Sequence, residues 1–351
     1  MDQHPKTLTS NPERIDLTAI RHRTTVLGMA QSFFQSSILF ALARLRIFEL
    51  IGEGDKPLDE LARQSGAKPE TLARLLNGGV ALNLLETTDG VTYRAAPLAR
   101  SVLLPGPGEA YLGDWVRNLS YFSLAMADLD QAVLRSGPTV DPLTHLGTDP
   151  ARTREFALAM HDYAAFCGRE LAHYLDTTGC KSLLDLGCGP GTYAFHLGIK
   201  NPELQLYLLD FPEVLQVAKE VQARYALQNE VHYVAADALK DELSGQYDLI
   251  LVSNALHQLG PEASAALVKR LYPAVRPGGS LVVQAQFLRD DRRGDKVPVF
   301  LDLLELCITA AGRNHSVAET RGWLEAAGFA KVQFCPMSLF NENSFVRGYR
   351  V

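Results

Sequence analysis

Residues 183–192, Leu-Leu-Asp-Leu-Gly-Cys-Gly-Pro-Gly-Thr, constrain the fold of this chain more than any other segment. The apolar run over residues 181–186 predicts a buried strand, and residues 193–200 predict the start of a helix. Between them, the glycines at 187, 189 and 191 let the backbone turn sharply and approach a ligand closely. A strand, a glycine turn and a helix in this order form the nucleotide-binding corner of a doubly wound α/β sheet.

An acidic residue next to this loop decides which kind of nucleotide fits. Asp185 places a negative charge where a dinucleotide would place its pyrophosphate, so a ligand with positive charge and no phosphate is favoured. S-adenosylmethionine, with its ammonium and sulfonium groups, is such a ligand. The spacing Gly189-x-Gly191-x-x-Ala194 also fits the looser dinucleotide pattern, so spacing alone leaves a nicotinamide site open.

Two further acids follow the next predicted strands. Strands are predicted over residues 204–209 and 231–236, and they are followed by Asp210 and Asp237. Ligands of open α/β sheets bind along the edge where the carboxyl ends of the strands meet. We therefore expect Asp210 to accept hydrogen bonds from ribose hydroxyls and Asp237 to accept one from the adenine amine. Taken singly, each acid is more often a helix N-cap than a ligand.

Length and composition limit the class of protein. A chain of 351 residues is long for one core and predicts two domains. The net charge of −6 argues against general nucleic-acid binding, and the apolar stretches are expected to fall short of a membrane span. The polar residues 1–23 predict no export signal. Five scattered cysteines predict free thiols in a reducing cytoplasm and no metal site: Cys167, Cys180, Cys188, Cys307 and Cys335.

The segment before residue 110 predicts a separate module. Helices are predicted over residues 58–64 and from residue 68, and an Asp-Gly pair at 89–90 predicts a hairpin. Two helices and a hairpin indicate a winged helix-turn-helix, which would also suit a DNA-binding regulator. From Lys56 to Arg100 there are six basic and five acidic residues, so a net charge of +1 offers little attraction to phosphate.

The residues before this module divide into two parts. Residues 1–20 are expected to form a mobile arm. Residues 26–51 carry more apolar side chains than one solvent-facing helix accommodates, so helices covered on most sides are expected there.

The ordered set of motifs resembles the class I methyltransferases, and within them the small-molecule O-methyltransferases of the acetylserotonin and caffeate type. The resemblance covers nearly all of the chain after about residue 25. The motifs that carry it are the loop at 185–191, Asp-Phe-Pro-Glu-Val at 210–214, Ala-Leu-His at 255–257, Arg-Pro-Gly-Gly at 276–279, Leu-Asp-Leu-Leu at 301–304 and Ala-Gly-Phe at 327–329.

The resemblance implies an α/β fold with three parts. Residues 1–110 would form a mostly helical winged-helix dimerisation domain, and residues 111–170 a helical linker and substrate lid. Residues 171–351 would form a Rossmann-like doubly wound methyltransferase domain that binds S-adenosyl-L-methionine. The family further implies a cytoplasmic homodimer that acts on a small molecule, with no nucleic-acid or membrane partner.

The resemblance also implies the site residues, and no metal among them. The cofactor would be held by Asp185, Gly187, Gly189, Asp210, Phe211, Asp237, Ala238 and Ser253. The acceptor substrate would contact Met160, His161, Phe166, Asn254, Glu305 and Thr309.

His257 is the candidate general base, because it follows the predicted fourth strand and therefore lies at the cofactor edge. The alternative is a histidine on a solvent-facing helix. The family has an Asp directly after this His and a Glu at the end of the fifth strand, whereas this chain has Gln258 and Ala285. Without a carboxylate partner, we expect the pKa of His257 at or below the ordinary value of about 6.5.

The sequence therefore predicts an S-adenosylmethionine-dependent methyltransferase that acts on an aromatic or polyketide-like secondary metabolite, with oxygen as the favoured acceptor. The missing acids leave open a C- or N-methyltransferase, or a non-methylating enzyme on the same scaffold. A winged-helix regulator is the less favoured alternative. The identity of the acceptor is not determined by the sequence.

Overall fold

A computed structural model describes residues 16–106, 110–141, 149–337 and 343–351. The N-terminal part is mainly helical, and the C-terminal part is built on a seven-stranded sheet. Each part has its own buried core. One core surrounds Phe48 and Leu76, two lie on opposite faces of the seven-stranded sheet, and a smaller cluster contains Ala125, Ala132, Cys307 and Ile308.

The N-terminal module contains the predicted winged helix. Its elements are α1 (Leu17–Arg44), α2 (Ile47–Ile51), β1 (Lys56–Pro57), α3 (Leu58–Ser65), α4 (Pro69–Ala81), β2 (Leu85–Glu86), β3 (Thr92–Ala95) and α5 (Pro97–Val102). β3 lies between β1 and β2 and pairs antiparallel with both. Gly66 ends α3 in the left-handed conformation, and Pro69 opens α4 at a position that needs no N–H donor. The helix and hairpin predictions for this module are confirmed.

Helix α1 differs from the expectation in two ways. It begins at Leu17, where the Asp16 side chain accepts hydrogen bonds from the first-turn N–H groups. The mobile arm expected over residues 1–20 is therefore wrong from residue 17, and residues 1–15 lie outside the described residues. α1 is also long and apolar enough to cross a membrane by length and composition, which contradicts the expectation of short apolar stretches. Within one chain its apolar side chains are largely exposed, and they include Leu17, Ile20, Val26, Leu27, Met29, Phe33 and Phe34.

Helices α6 (Gly113–Ala127), α7 (Leu129–Arg135) and α8 (Pro150–Tyr174) join the two parts. Asp162 on α8 accepts hydrogen bonds from the backbone N–H groups of Asp114 and Trp115, at 2.8 and 3.2 Å. These donors lie in the first turn of α6 and lack partners within their own helix. The Asp162 carboxylate therefore fixes the start of α6 against α8.

The C-terminal part is a doubly wound sheet. Its elements are β4 (Ser182–Leu186), α9 (Thr192–Lys200), β5 (Gln205–Asp210), α10 (Pro212–Gln222), β6 (Val231–Ala235), β7 (Tyr247–Ser253), α11 (Pro261–Leu271), β8 (Val275–Ala285), α12 (Lys296–Ile308), α13 (Val317–Ala326), β9 (Ala330–Pro336) and β10 (Ser344–Tyr349). The strand order is β6-β5-β4-β7-β8-β10-β9, and within this sheet β10 runs opposite to the six other described strands. Successive strands are added on one side of β4 up to β6 and on its other side from β7 onwards, so the ligand crevice is expected at the carboxyl end of β4.

Gly191 at the start of α9 provides a test of this packing. Its φ is 77°, and an added Cβ would lie 2.6 Å from Phe195 Cζ and 3.1 Å from Leu208 Cδ1. We expect Gly191→Ala to lower the free energy of unfolding by roughly 2–4 kcal/mol, because it adds left-handed strain to overpacking. Urea denaturation measures this change.

Gly322 in α13 is the matched control, because it is helical and an added Cβ there meets no atom within 4 Å. Gly322→Ala is expected to raise the free energy of unfolding by about 0.5–1 kcal/mol. Equal effects of the two substitutions would contradict the packing of Gly191.

Candidate active site

The glycine loop is fastened to the neighbouring strand by backbone hydrogen bonds. The N–H groups of Gly187 and Cys188 donate to the carbonyl of Leu209 on β5, at 2.8 and 3.1 Å. Gly189 has a φ of 55°, and no atom lies within 4 Å of the place where its Cβ would be. The loop therefore leaves open space directly beside its backbone, as close approach of a ligand requires.

Asp210 holds the tip of this loop. Its Oδ2 accepts from Gly189 N–H and its Oδ1 from Phe211 N–H, both at 2.8 Å. Burial raises the pKa of Asp210. Each carboxylate oxygen has a second lone pair, so Asp210 retains acceptor capacity for the ribose hydroxyls expected from the sequence.

Asp185, at the end of β4, is 1% exposed and is not satisfied by the protein. Among the residues that the structure describes, neither carboxylate oxygen has a partner within hydrogen-bond geometry, and the Ala194 N–H is the backbone donor that acts on this carboxyl. Burial, and then the charge of Asp210, raise the pKa of Asp185 to about 7. A buried carboxyl without a partner is costly unless a ligand supplies one. A cationic ligand in the open space of the loop meets that requirement, so these residues fit the ammonium group of S-adenosylmethionine.

The remaining predicted cofactor residues already have partners in the protein. Asp237 accepts from Leu239 N–H and lies 2.9 Å from Lys240 Nζ, so it caps the turn after β6. The Ala238 carbonyl accepts from Arg270, and the Ser253 hydroxyl bonds to Gln284. Phe211 is the half-buried N-cap residue of α10.

His257 lies on a short 3-10 turn, Leu256–Gln258, directly after β7. Its side chain is only 14% exposed, so the alternative of a solvent-facing histidine is not what the fold shows. Burial, and then the nearby His315, lower the pKa of His257 to about 4. Its Nδ1 is buried and has no hydrogen-bond partner among the described residues.

The expectation that His257 has no carboxylate neighbour is wrong. Oε1 of Glu305 on α12 lies 3.7 Å from His257 Nε2. Glu305 is 3% exposed, and burial, followed by the charge of Asp302, raises its pKa to about 8. We predicted Glu305 as a substrate contact, and no signal in the sequence indicated that it would face His257.

His315, in the segment after α12, holds the turn that carries His257. Nε2 of His315 lies 3.1 and 3.2 Å from the carbonyl oxygens of Leu256 and Leu259, to which its N–H donates. Gly312 approaches so closely that an added Cβ would lie 2.6 Å from the His257 carbonyl oxygen. No signal in the sequence indicated the role of His315 in fixing this turn. Within the described residues, no group of three potential ligands could hold a metal ion.

The other predicted substrate residues fall into two groups. Thr309 follows α12 and donates to the Glu305 carbonyl at 2.7 Å, and Asn254 follows β7 and donates to the Tyr193 hydroxyl at 3.0 Å. Thr309 therefore lies next to the helix that carries Glu305, and Asn254 lies next to the turn that carries His257. Three further residues lie on α8: Met160, His161 and Phe166.

His161 contacts residues of the protein on two sides. Its Nδ1 lies 2.9 Å from Thr192 Oγ1 at the start of α9, and its ring packs edge-on against Tyr225. Burial, with Arg224 as a second cause, lowers the pKa of His161 to about 4. These contacts indicate a packing role between α8 and α9.

Two sequence families match the chain. One is described as an O-methyltransferase domain and matches residues 121–330. The other is described as an O-methyltransferase dimerisation domain and matches residues 27–105.

Individual relatives match over most of their length. The tetracenomycin polyketide synthesis 8-O-methyl transferase TcmO of Streptomyces glaucescens is 31% identical, over 92% of this chain and 95% of its own. The N,N-dimethyltransferase OxyT of Streptomyces rimosus is 25% identical, over 89% of this chain and 92% of its own. The structure of human N-acetylserotonin methyltransferase in complex with SAM superimposes with a TM-score of 0.83 at 22% identity, over 97% of this chain and 99% of that one.

Asp210 allows a direct test of the cofactor site. Asp210→Ala removes acceptors for the ribose hydroxyls and the anchor of Gly189, so we expect binding of S-adenosylmethionine to weaken by ~2 kcal/mol or more, about 30-fold. Isothermal titration calorimetry measures this change. Asp176→Ala is a control outside the site, because the exposed Asp176 side chain accepts from the Thr178 N–H in the turn before β4. Undiminished affinity of Asp210→Ala, or tight NADH binding by the wild type, would contradict the assignment.

Proposed function

Because the chain belongs to the O-methyltransferase family and uses S-adenosylmethionine as its methyl donor, we propose that it methylates a hydroxyl group of a small aromatic or polyketide-like molecule. The observation that carries this proposal is the buried His257–Glu305 pair at the carboxyl edge of the sheet. The pair offers a proton-accepting centre in a site where a hydroxyl acceptor would need one.

The chain's residues suit the donor as follows. When bound, S-adenosylmethionine supplies a methyl group on a sulfonium, which is already an activated leaving group. Asp210 would bind the ribose hydroxyls, Asp185 would balance the ammonium charge, and Gly189 would give the donor room. The fold then contributes mainly alignment of donor and acceptor.

The acceptor needs a further contribution from the protein. A neutral hydroxyl is a poor nucleophile, and its proton must leave as the new bond forms. The His257–Glu305 pair is buried beside the end of β7, where an acceptor next to the donor would lie. TcmO, whose name describes a polyketide O-methyl transferase, supports an aromatic hydroxyl as the acceptor class.

An amine acceptor is the second candidate. It is favoured by one specific relative, OxyT, whose name describes an N,N-dimethyltransferase. An amine that attacks through its own lone pair would depend less on a strong base in the site.

Labelled methyl transfer distinguishes these acceptors. We expect the protein with radiolabelled S-adenosylmethionine to transfer the label to polycyclic phenols, and not to matched amines of the same ring systems. His257→Phe and Glu305→Gln should each reduce transfer to phenols by ~10²–10⁴-fold while cofactor affinity is retained. Label found mainly on the amines would instead establish the second candidate.

We propose that a second copy of the chain packs against the exposed side of α1. The O-methyltransferase dimerisation domain matches residues 27–105, which include most of this helix. Exposed apolar side chains in a contiguous patch mark an interface, and a two-fold dimer lets the same patch cover itself. The patch contains Phe33 and Phe34, which are 57% and 56% exposed in the single chain.

We propose a cytoplasmic location for this protein. The five cysteines are all free thiols, as expected in a reducing compartment. A partner copy over α1 accounts for its apolar surface without a membrane.

Light scattering tests the dimer. We expect the wild type to be a dimer at micromolar concentration, and Phe33→Asp with Phe34→Asp to produce a monomer because two charges would be buried in the interface. Ile199→Asp is the matched control, since Ile199 is 50% exposed on α9 and outside the patch. A monomeric wild type would refute the dimer, and binding of wild type to liposomes would favour a membrane role for α1.

A further inference from the structure

We propose that Arg117 is a positioning residue for the acceptor site, because it ties the start of α6, and with it Trp115, to Glu49 of the N-terminal module. This inference rests on the proposed methylation of a small aromatic acceptor, and it gives the N-terminal module a part in binding that acceptor. Arg117 lies near the start of α6, and Glu49 lies on α2. The role does not depend on which group in the site takes the acceptor proton.

The guanidinium of Arg117 joins groups from separate segments of the chain. Its Nη1 donates to Glu49 Oε1 at 2.7 Å, and its Nη2 pairs with Asp114 Oδ1 in the same helix. Nη2 also lies 3.4 Å from the Tyr111 hydroxyl. The side chains of Arg117 and Glu49 are only 15% and 19% exposed, so salt screens this pair less than a pair in open solvent. The planar arginine fork holds two acceptors in fixed directions, which a lysine cannot do.

The same turn of α6 is also fastened to α8. The buried Asp162 side chain accepts hydrogen bonds from the N–H groups of Asp114 and Trp115, at 2.8 and 3.2 Å. Burial raises the pKa of Asp162 to about 8, the charge of Asp114 adds to this effect, and Arg117 acts in the opposite direction. An ionised carboxylate is the stronger acceptor. Removal of Arg117 would therefore weaken the Asp162 anchor as well as the pair with Glu49.

Trp115 is the side chain that connects this anchor to the helices around the site. Its half-buried ring has its centroid 5.1 Å from that of Tyr163 on α8 and 6.3 Å, edge-on, from that of Phe122 on α6. Phe122 packs in turn against the apolar cluster that contains Ile308 of α12. The indole therefore lies in a continuous row of contacts from α8 to α12.

Both of these helices carry predicted acceptor residues. Met160 precedes Tyr163 on α8 at the i, i+3 spacing that places two side chains on one face. Glu305 precedes Ile308 on α12 at the same spacing. A shift of Trp115 would therefore change the spacing of the two helices that a planar acceptor contacts. A misplacement of about 1 Å that arises far from the chemistry can lower the rate by about 10²-fold.

The N-terminal module also reaches α6 through α1, which packs directly against it. The core of that module surrounds Phe48 and Leu76 and does not include Arg117. Arg117 can therefore be replaced while the apolar packing that folds the module is kept. Its replacement removes the charged link between the two parts of the chain and leaves their hydrophobic contact in place.

Tryptophan fluorescence tests the anchor without any acceptor. The chain has two tryptophans, Trp115 and Trp323, so the Trp323→Phe protein reports on Trp115 alone. In this background, we expect Arg117→Met to shift the emission of Trp115 to longer wavelength and to increase its quenching by acrylamide. The physical reason is that the indole loses its fixed contact with Tyr163 and meets more water.

Arg154→Met is the matched control. Arg154 on α8 also lies 2.7 Å from a glutamate, Glu220 on α10, but these two side chains are 51% and 49% exposed. Exposed pairs contribute little, so the Trp115 spectrum of this control should equal that of its parent. Glu49→Gln keeps the shape of the side chain and should give a smaller shift in the same direction, which covers the case in which Arg117→Met does not fold. An unchanged Trp115 spectrum in the folded anchor variants would overturn the proposal.

Steady-state kinetics is the second test, with the polycyclic phenol that receives most label as the acceptor. We expect Arg117→Met to raise the KM for this phenol by about 10–10²-fold, with a much smaller change in kcat, because binding of the acceptor is what the anchor supports. The affinity for S-adenosylmethionine, measured by calorimetry, should be retained. Arg117→Lys keeps the charge but not the fork, so its KM should lie between those of Arg117→Met and the wild type.

A loss confined to kcat, or an equal rise in KM for Arg154→Met, would overturn the positioning role of Arg117. Failure of the proposed function gives a different result: S-adenosylmethionine binds, no phenol is methylated, and the Trp115 spectra still decide whether Arg117 holds the start of α6.

Discussion

The hydrogen bond from Gly189 N–H to the Asp210 carboxylate, 2.8 Å long, is the interaction on which the ligand end of this protein depends. With the donation of Gly187 and Cys188 to Leu209, it binds the loop after β4 to the end of β5. The parallel pairing of β4 with β5 and β7 then brings the loop, Asp210 and the His257 turn to one edge. Without these hydrogen bonds, the loop backbone next to Asp185 would lose its fixed conformation.

Some of the buried polar atoms without a partner among the described residues lie at this edge. Asp185, Glu305 and Nδ1 of His257 are buried, and each has at least one atom without a partner among the described residues. Each such group lowers the stability of the free protein. Asp185 ends β4, His257 follows β7 and Glu305 faces His257 from α12, and partners supplied by bound ligands are the proposed explanation for these unmet hydrogen bonds.

The N-terminal helix α1 also has a surface that is not fully buried within one chain, and this surface is apolar. α1 is apolar along most of its length but buried only near Leu42 and Ala43. Its composition alone is compatible with a membrane span, a core helix or an interface. Continuity of its sequence with the matched dimerisation domain favours the interface, so a surface that looks unfinished in one chain is completed by another copy.

The sequence by itself determined the architecture, because strand runs, glycine turns and helix-opening prolines are local signals. It located the loop at Gly189, the acid at Asp210 and His257 after β7, since each follows a strand whose end is set by its own residues. Only the tertiary structure decided that Glu305 faces His257, because the two residues are far apart in the chain and the packing of α12 against the turn brings them together. It likewise decided that His315 holds the turn and that Asp237 caps its own loop. Spacing along the chain cannot supply these assignments, because which partner a side chain meets depends on how separate elements pack.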